Sequence, residues 1–568
     1  CFCAVEQASN VQHSLLPPGL CTSSYERLYG LCTARSHYYL EVETDFPLLM
    51  AQATSFSMPS LETITTVSAV ILSSLLGLFY WTTTPSTAPN LPGPCGWPIV
   101  GNYFQRGADP AVTYHRWSKI YGPVFRLRLG YKWVVVFNTA DAAEELLASS
   151  AHAATFQSRP VPYSMGKLFK EASKKTITIG SSPYVVLLYG KRRLSIASVS
   201  PASTKSYERL IDRSTQNFVR DLNVPSKIYG VIVPWPIFFS NAACLAIAIF
   251  FGTPITVASE LFKDIPFPMW RLAQLRNITG RACAYFPFLR LFPVHSAYKE
   301  AVVVAKYRNG KLAGLLETCR KQIAVRTTVP CAVVSMLYDH KTEFTEEALT
   351  SVSNSMVSSG LVSHMPNTLL WSLGILASYK TIQEKCYQAV LRRQTLVESV
   401  DPVQDREDYL MAFVYEAGRY FTTLRLSLAR ETIGKDCFWK GFYIPAGTTV
   451  WCNIHAMYRD VPRFERPEKF VPERYMVGPE SVRSIPHFGF GLGRRMCPAT
   501  ILVHKEIYSV FQTILTYYSL DLFDGESDFH AVRGCAVGRS FNQGPKQFRI
   551  KLHVRDQAKL DEFLATEI

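Results

Sequence analysis

Apolar positions fall into three patterns along the chain, and each predicts a different element. From Ile64 to Trp81 (ITTVSAVILSSLLGLFYW) the run is apolar apart from hydroxyl residues, and no charged residue stands between Glu62 and Arg106. That length, with aromatic residues at its exit, predicts one transmembrane anchor over 64–81. A buried core helix or a cleaved signal peptide shares the composition, but the run is long for a signal peptide and lacks a basic segment in front of it. Prolines at 85, 89, 92, 94 and 98 follow, so residues 82–98 read as a stiff extended hinge. In the second pattern, Val124 to Leu129 and Trp133 to Phe137 flank Gly130 and Tyr131 as the arms of a hairpin do. Beyond it the period becomes helical. Val503, Ile507, Val510, Phe511 and Ile514 recur at one-face spacing and predict an amphipathic helix there. The fold class expected is mainly α with a small β-rich part near the N-terminus. One large unit spans 99–556, with no second linker or repeat, and 557–568 is a tail.

Composition changes this picture only at the ends. The chain has 568 residues, 48% hydrophobic and 18% charged, enough for a large core. Its net charge of +15 is spread without runs of five or six like charges. That argues against nucleic acid and for a basic face turned to an acidic protein or anionic lipid. Fourteen cysteines without paired spacing read as reduced thiols in a cytosol-facing domain. Arg106, Arg116 and Lys119 after the apolar run place the large downstream part on the same cytosolic side. Residues 1–57 are acidic on balance, with Arg27 and Arg35 against Glu6, Glu26, Glu41, Glu43 and Asp45. They are expected to be a disordered or non-native leader ahead of a start at Met58, and Cys1, Cys3, Cys21 and Cys32 lack zinc-type spacing.

The chemistry concentrates in Phe490-Gly491-Leu492-Gly493-Arg494-Arg495-Met496-Cys497-Pro498-Ala499, a glycine-rich loop that leads into a cysteine and then the helix. Freed backbone N–H groups and the positive end of the helix are expected to lower the Cys497 pKa and hydrogen-bond its sulfur. Such a thiolate can ligate haem iron. The loop alone also admits a buried structural cysteine or a dinucleotide turn, although Ser484-Ile485-Pro486-His487 is not the apolar strand that a dinucleotide site needs. Upstream, Glu416-Ala417-Gly418-Arg419 puts a carboxylate and a guanidinium on one helix face, a pair common on solvated helices. Phe470-Val471-Pro472-Glu473-Arg474-Tyr475 follows.

In this order the three stretches resemble the cytochrome P-450 family, over nearly everything from Leu91 to Asp556. The resemblance implies that fold, haem b with Cys497 as iron ligand, and a haem loop that includes Phe490 and Gly493. Arg495 and Arg430 are implied at the haem propionates. Arg192 or Arg193 is a further candidate, with Tyr184 near where an aromatic is usual. Glu416, Arg419 and Arg474 are implied to form a buried network needed for folding. Arg494 and Arg495 are expected beside the basic docking face. The implied partner is NADPH-cytochrome P-450 reductase, supplying NADPH electrons, and the implied place is the endoplasmic reticulum membrane, single-pass, with the catalytic domain cytosolic. TIGSSPY (Thr178 to Tyr184), MVSSGL (Met356 to Leu361) and RYFTTLRLSLARET (Arg419 to Thr432) resemble the fungal phenylacetate hydroxylase branch, which implies ring hydroxylation of a small aromatic acid.

Two positions depart from the family. Ala499 replaces a usual glycine. In Ser359-Gly360-Leu361-Val362-Ser363-His364 the usual acid is Val362, leaving Ser363 and His364 as the candidates for proton delivery, with His364 able to titrate near neutral pH. A fungal secondary-metabolite oxidation, or an isomerase or dehydratase that uses haem-thiolate without external oxygen, stand as alternatives.

Overall fold

The structure is a computed structural model that describes residues 61–566 apart from internal stretches, the longest being 167–177, 396–407 and 477–486; 358–363 is another. The leader expected over 1–57 lies outside the described residues. Leu61–Thr83 is a helix, α1. Its Val67, Val70, Ile71 and Leu72 are all exposed, so the helix buries none of these apolar residues in the protein.

The hairpin forms as the alternation predicts. β1 (Val124–Leu129) and β2 (Lys132–Phe137) pair antiparallel in full register, Val124 opposite Phe137 and Leu129 opposite Lys132. Gly130 turns the chain at φ +57°, and a Cβ there would sit 2.0 Å from the Tyr285 carbonyl oxygen, so no other residue fits. Just before it, Asp109 caps α2 (Pro110–Tyr121) by accepting from the N–H of Ala111 at 3.2 Å. The next helix is α3 (Ala140–Leu147). The sheet is not confined to the N-terminal region. Its order is β1-β2-β6-β3, where β3 (Arg430–Glu431) and β6 (Thr449–Cys452) arrive some three hundred residues later and β6 lies parallel to β2. β4 (Cys437–Trp439) and β5 (Phe442–Ile444) form a small hairpin of their own.

Helices build the rest: α4 (Val186–Ser198), α5 (Glu208–Tyr229), α6 (Pro234–Phe251), α7 (Pro266–Ile278), α8 (His295–Ala324), α9 (Glu346–Ser355), α10 (Met365–Ser378), α11 (Lys380–Gln394), α12 (Tyr409–Phe421) and α13 (Thr500–Tyr517). α6 is apolar on nearly every face. Among the described residues it alone has the length and mean hydropathy, 1.7, to cross a bilayer, yet 72% of it is buried in the core, as expected for a helix surrounded by others. α10 and α12 pack against each other through Trp371 stacked on Phe421, centroids 4.3 Å apart. α13 is the helix that the spacing after Cys497 predicts, and its Ile507, Val510, Phe511 and Ile514 are buried. β7 (Tyr518–Leu522) pairs with β8 (Ile550–Val554). The segment read as a tail contains α14 (Gln557–Ala565), whose buried Leu560 packs with Val219 and Tyr518. An apolar residue with a place in the core draws this segment into the fold.

Candidate active site

The glycine-rich loop folds back on itself. Cys497 N–H donates to the Phe490 carbonyl at 2.7 Å, and Met496 N–H to that of Gly493 at 3.0 Å. Gly491 and Gly493 take positive φ, +82° and +59°. Gly493 also lies hard against α3, where a Cβ would come within 2.0 Å of the Leu147 carbonyl oxygen. Position and conformation both demand glycine there. Phe490 meets the ring of His504 on α13 edge-on, centroids 5.0 Å apart.

Cys497 is half-buried, two residues before the Ala499 cap of α13. The expectation of a lowered thiol pKa is corrected. Burial pushes the thiol up, and the backbone N–H of Ala499 and the charge of Arg192 only partly oppose it. The loop therefore supplies geometry and hydrogen bonds, while a thiolate needs a cation at the sulfur.

Beside the loop four arginines converge. Arg495 is buried, its Nη2 donating to the carbonyl of Ser182 at 2.7 Å, and its Nη1 has no partner among the described residues. Burial, Arg192 and Arg430 push it down to about 9. Arg430, on β3, donates to the Leu492 carbonyl at 2.6 Å, and burial lowers its pKa. Arg192, on α4, donates to the Met496 carbonyl at 2.9 Å. Of the two candidates on α4, Arg192 reaches the loop, and Arg193 is exposed. The fourth is Arg159, which is buried, donates to the Ala429 carbonyl at 2.9 Å and leaves Nε without a partner among the described residues. Burial, with Arg430 and Arg495, holds its pKa well below the usual value. An arginine ahead of a proline in extended chain carries no spacing signal, so only the folded chain reveals it.

Behind the loop lies a different kind of charge cluster. Arg419 grips Glu416 with two bonds, Nε to Oε2 at 2.7 Å and Nη2 to Oε1 at 2.8 Å, and Arg474 Nε reaches Oε2 at 3.1 Å. The N–H of Val471 adds a bond to Oε1 at 2.8 Å. Arg419 spends its other donors on the carbonyls of Tyr458, Pro467 and Lys469. Burial alone would lower its pKa, but the hydrogen bond and charge of Glu416 win and raise it. Tyr458 joins this network to the loop, because its hydroxyl accepts from the N–H of Gly489 at 2.8 Å.

The family profile described as Cytochrome P450 matches residues 91–538. The chain belongs to the cytochrome P-450 family. Among curated relatives of this P-450, 3-hydroxyphenylacetate 6-hydroxylase of Emericella nidulans is 30% identical over 526 residues, 92% of this chain and 97% of that one. Phenylacetate 2-hydroxylase of the same organism is 28% identical over 516 residues, 89% of this chain and 98% of that one. A cytochrome P-450 monooxygenase of Mycosarcoma maydis is 30% identical over 488 residues, 84% and 89% of the two chains. The protein is thus a cytochrome P-450 monooxygenase of the branch that holds these hydroxylases.

The arginine cluster fits the cofactor the family implies. Four neighbouring guanidinium groups, three of them held down by the charge of the others and two with orphaned buried donors, call for a bound anion, and haem carries two propionates. Cys497 stands one residue beyond the Met496 carbonyl that Arg192 holds. Of the P-450's proton-delivery candidates, Ser363 lies outside the described residues, as does Val362 at the place of the usual acid. His364 is half-buried at the cap of α10. Burial lowers its pKa against an opposing hydrogen bond with Asn542, which favours the neutral imidazole over the charged one. Arg495 is likewise withdrawn from the docking face, since its guanidinium is buried, while Arg494 stays exposed.

Proposed function

We propose that this monooxygenase hydroxylates the aromatic ring of a phenylacetate-like acid, with electrons passed from NADPH by NADPH-cytochrome P-450 reductase, and that α1 anchors it in the endoplasmic reticulum membrane with its catalytic domain in the cytosol. One observation carries the reading: a loop that offers Cys497 beside a buried cation cluster, in a chain that covers nearly the whole length of two relatives named as hydroxylases of phenylacetates. Haem, when bound, supplies the activation of dioxygen, inserting one atom into the substrate while the other leaves as water. The chain's own part is to hold that group: Cys497 as iron ligand, with Phe490 and Gly493 shaping the loop, and Arg159, Arg192, Arg430 and Arg495 as hydrogen-bond donors to its carboxylates. The exposed apolar side chains of α1 support membrane insertion, and the basic charge, Arg494 included, supports an acidic redox partner.

The carbon monoxide difference spectrum of the dithionite-reduced protein tests the core of this reading. The native protein is expected to give the far-red-shifted Soret band of thiolate ligation and Cys497→His to lose it. A band unchanged in the variant refutes the ligand assignment. Turnover with reductase on phenylacetate and 3-hydroxyphenylacetate then tests the substrate. Ring-hydroxylated product supports it, and tight coupling only on a larger secondary metabolite replaces it with the tailoring reading.

A further inference from the structure

One buried acid takes no part in the chemistry above. Glu506 lies on α13, nine residues beyond Cys497, and is 0% exposed, yet neither carboxyl oxygen has a hydrogen-bond partner among the described residues. It lines a small cavity among α5, α6, α10 and α13, with about 10 Å³ open to the centre of a water molecule. That is the room one water needs. The wall is apolar, Phe218, Phe238 and Leu369 among it, except for Ser214, Thr215 and Asn241. Thr215 already donates its hydroxyl hydrogen to the Ile211 carbonyl at 2.8 Å. Asn241 donates through Nδ2 to Asp221 and to the Ile237 carbonyl, both at 3.2 Å. Both therefore have oxygen acceptors left to offer. A carboxylate, itself an acceptor only, has no bond to make with them.

We propose that the cavity is a binding site for a single water molecule, which accepts from Glu506 in its neutral acid form and donates to Thr215 and Asn241. The water has two donors and the acid one, so the arrangement balances. It ties the helix behind the thiolate loop to α5 and α6. The charged groups on the elements around α13 are exposed or engaged elsewhere, Arg209, Arg213, Arg220 and Lys227 of α5 being among the exposed ones. On α5, Glu208 pairs with Lys505, Asp212 is exposed and Asp221 accepts from Asn241. α6 brings only the Cys244 thiol, and α10 carries no charged residue. On α12, Glu416 and Arg419 hold each other, and Asp408 at its cap accepts from Tyr508. On α11, Lys385 pairs with Glu473 and Arg393 lies 3.7 Å from Asp408. Burial alone accordingly raises Glu506 from 4.5 to about 8.

The sign of the pH dependence follows. The folded state keeps this proton more tightly than the unfolded one, so its contribution is fully present below about 4.5, declines as pH rises towards about 8, and is constant above. The full-length, haem-loaded protein is the material for the test. An infrared difference spectrum of native protein minus Glu506→Gln at pH 7 is expected to show the carbonyl band of a protonated carboxyl, fading as pH passes 8. Glu506→Gln, which has no proton to lose, should melt near the native temperature at pH 5 and above it at pH 8. Thr215→Val should shift the acid band of otherwise native protein, and that measurement stands even if Glu506→Gln fails to fold. An acid band that Thr215→Val leaves unmoved overturns the water bridge. No acid band at pH 7, together with a melting temperature raised by sodium or potassium ions, overturns the neutral acid and makes the site a cation site.

Discussion

Two buried clusters of arginine lie on either side of the cysteine loop, and they are opposites. Around Glu416 the guanidinium groups of Arg419 and Arg474 meet a carboxylate at hydrogen-bond distance, and Arg419's remaining donors end on backbone carbonyls. Around Arg495 the four guanidinium groups donate to backbone carbonyls and to no carboxylate among the described residues, with donors on Arg495 and Arg159 left over. The first cluster is complete without any visitor, which supports a part in folding. The second is incomplete, and its missing term is negative charge. Buried cations that lack a carboxylate of their own mark a place for someone else's.

The largest effect expected from breaking this contrast is in the complete cluster. Glu416→Gln leaves two arginines uncompensated and is expected to cost about 3–5 kcal/mol of stability, read by denaturant unfolding and by loss of recoverable holoprotein. Arg495→Leu should do the reverse to the empty protein, leaving its stability equal or higher, while weakening haem retention by about 1.5–3 kcal/mol, the range for hydrogen bonds to charged groups. Haem-release rates measured beside unfolding curves separate the two clusters; if Arg495→Leu destabilises the haem-free protein as Glu416→Gln does, the distinction fails. The smallest effect sharpens the assignment on α4. Arg192→Ala should speed haem release several-fold, roughly 1 kcal/mol, whereas Arg193→Ala, exposed, should leave it unchanged.

The complete cluster was legible in the sequence because its members sit in two short motifs, one of them a single helical turn apart. The loop was legible too, since Gly491, Gly493 and Cys497 follow one another and their conformations are local. What sequence could not offer was anything decided by meeting at a distance. The parallel pairing of β2 with β6 joins Phe137 to Cys452, and no local alternation encodes it. Arg430 is implied by the family resemblance, but Arg159, from a separate extended segment, joins it only in the folded chain. Hydropathy cannot distinguish α6 from a membrane span, because a helix enclosed by helices and one enclosed by lipid want the same side chains. The Cys497 thiol went the other way from expectation for a related reason: backbone N–H groups can be counted in a motif, but desolvation depends on everything that closes over it.

Tyr458 couples the charge network to the cysteine loop. Its carbonyl is held by Arg419 and its hydroxyl by the backbone of Gly489, so one residue reports the closure of the charge network to the segment that must receive the cofactor. A break in the network would therefore also be felt at Gly489, on the approach to the cysteine loop.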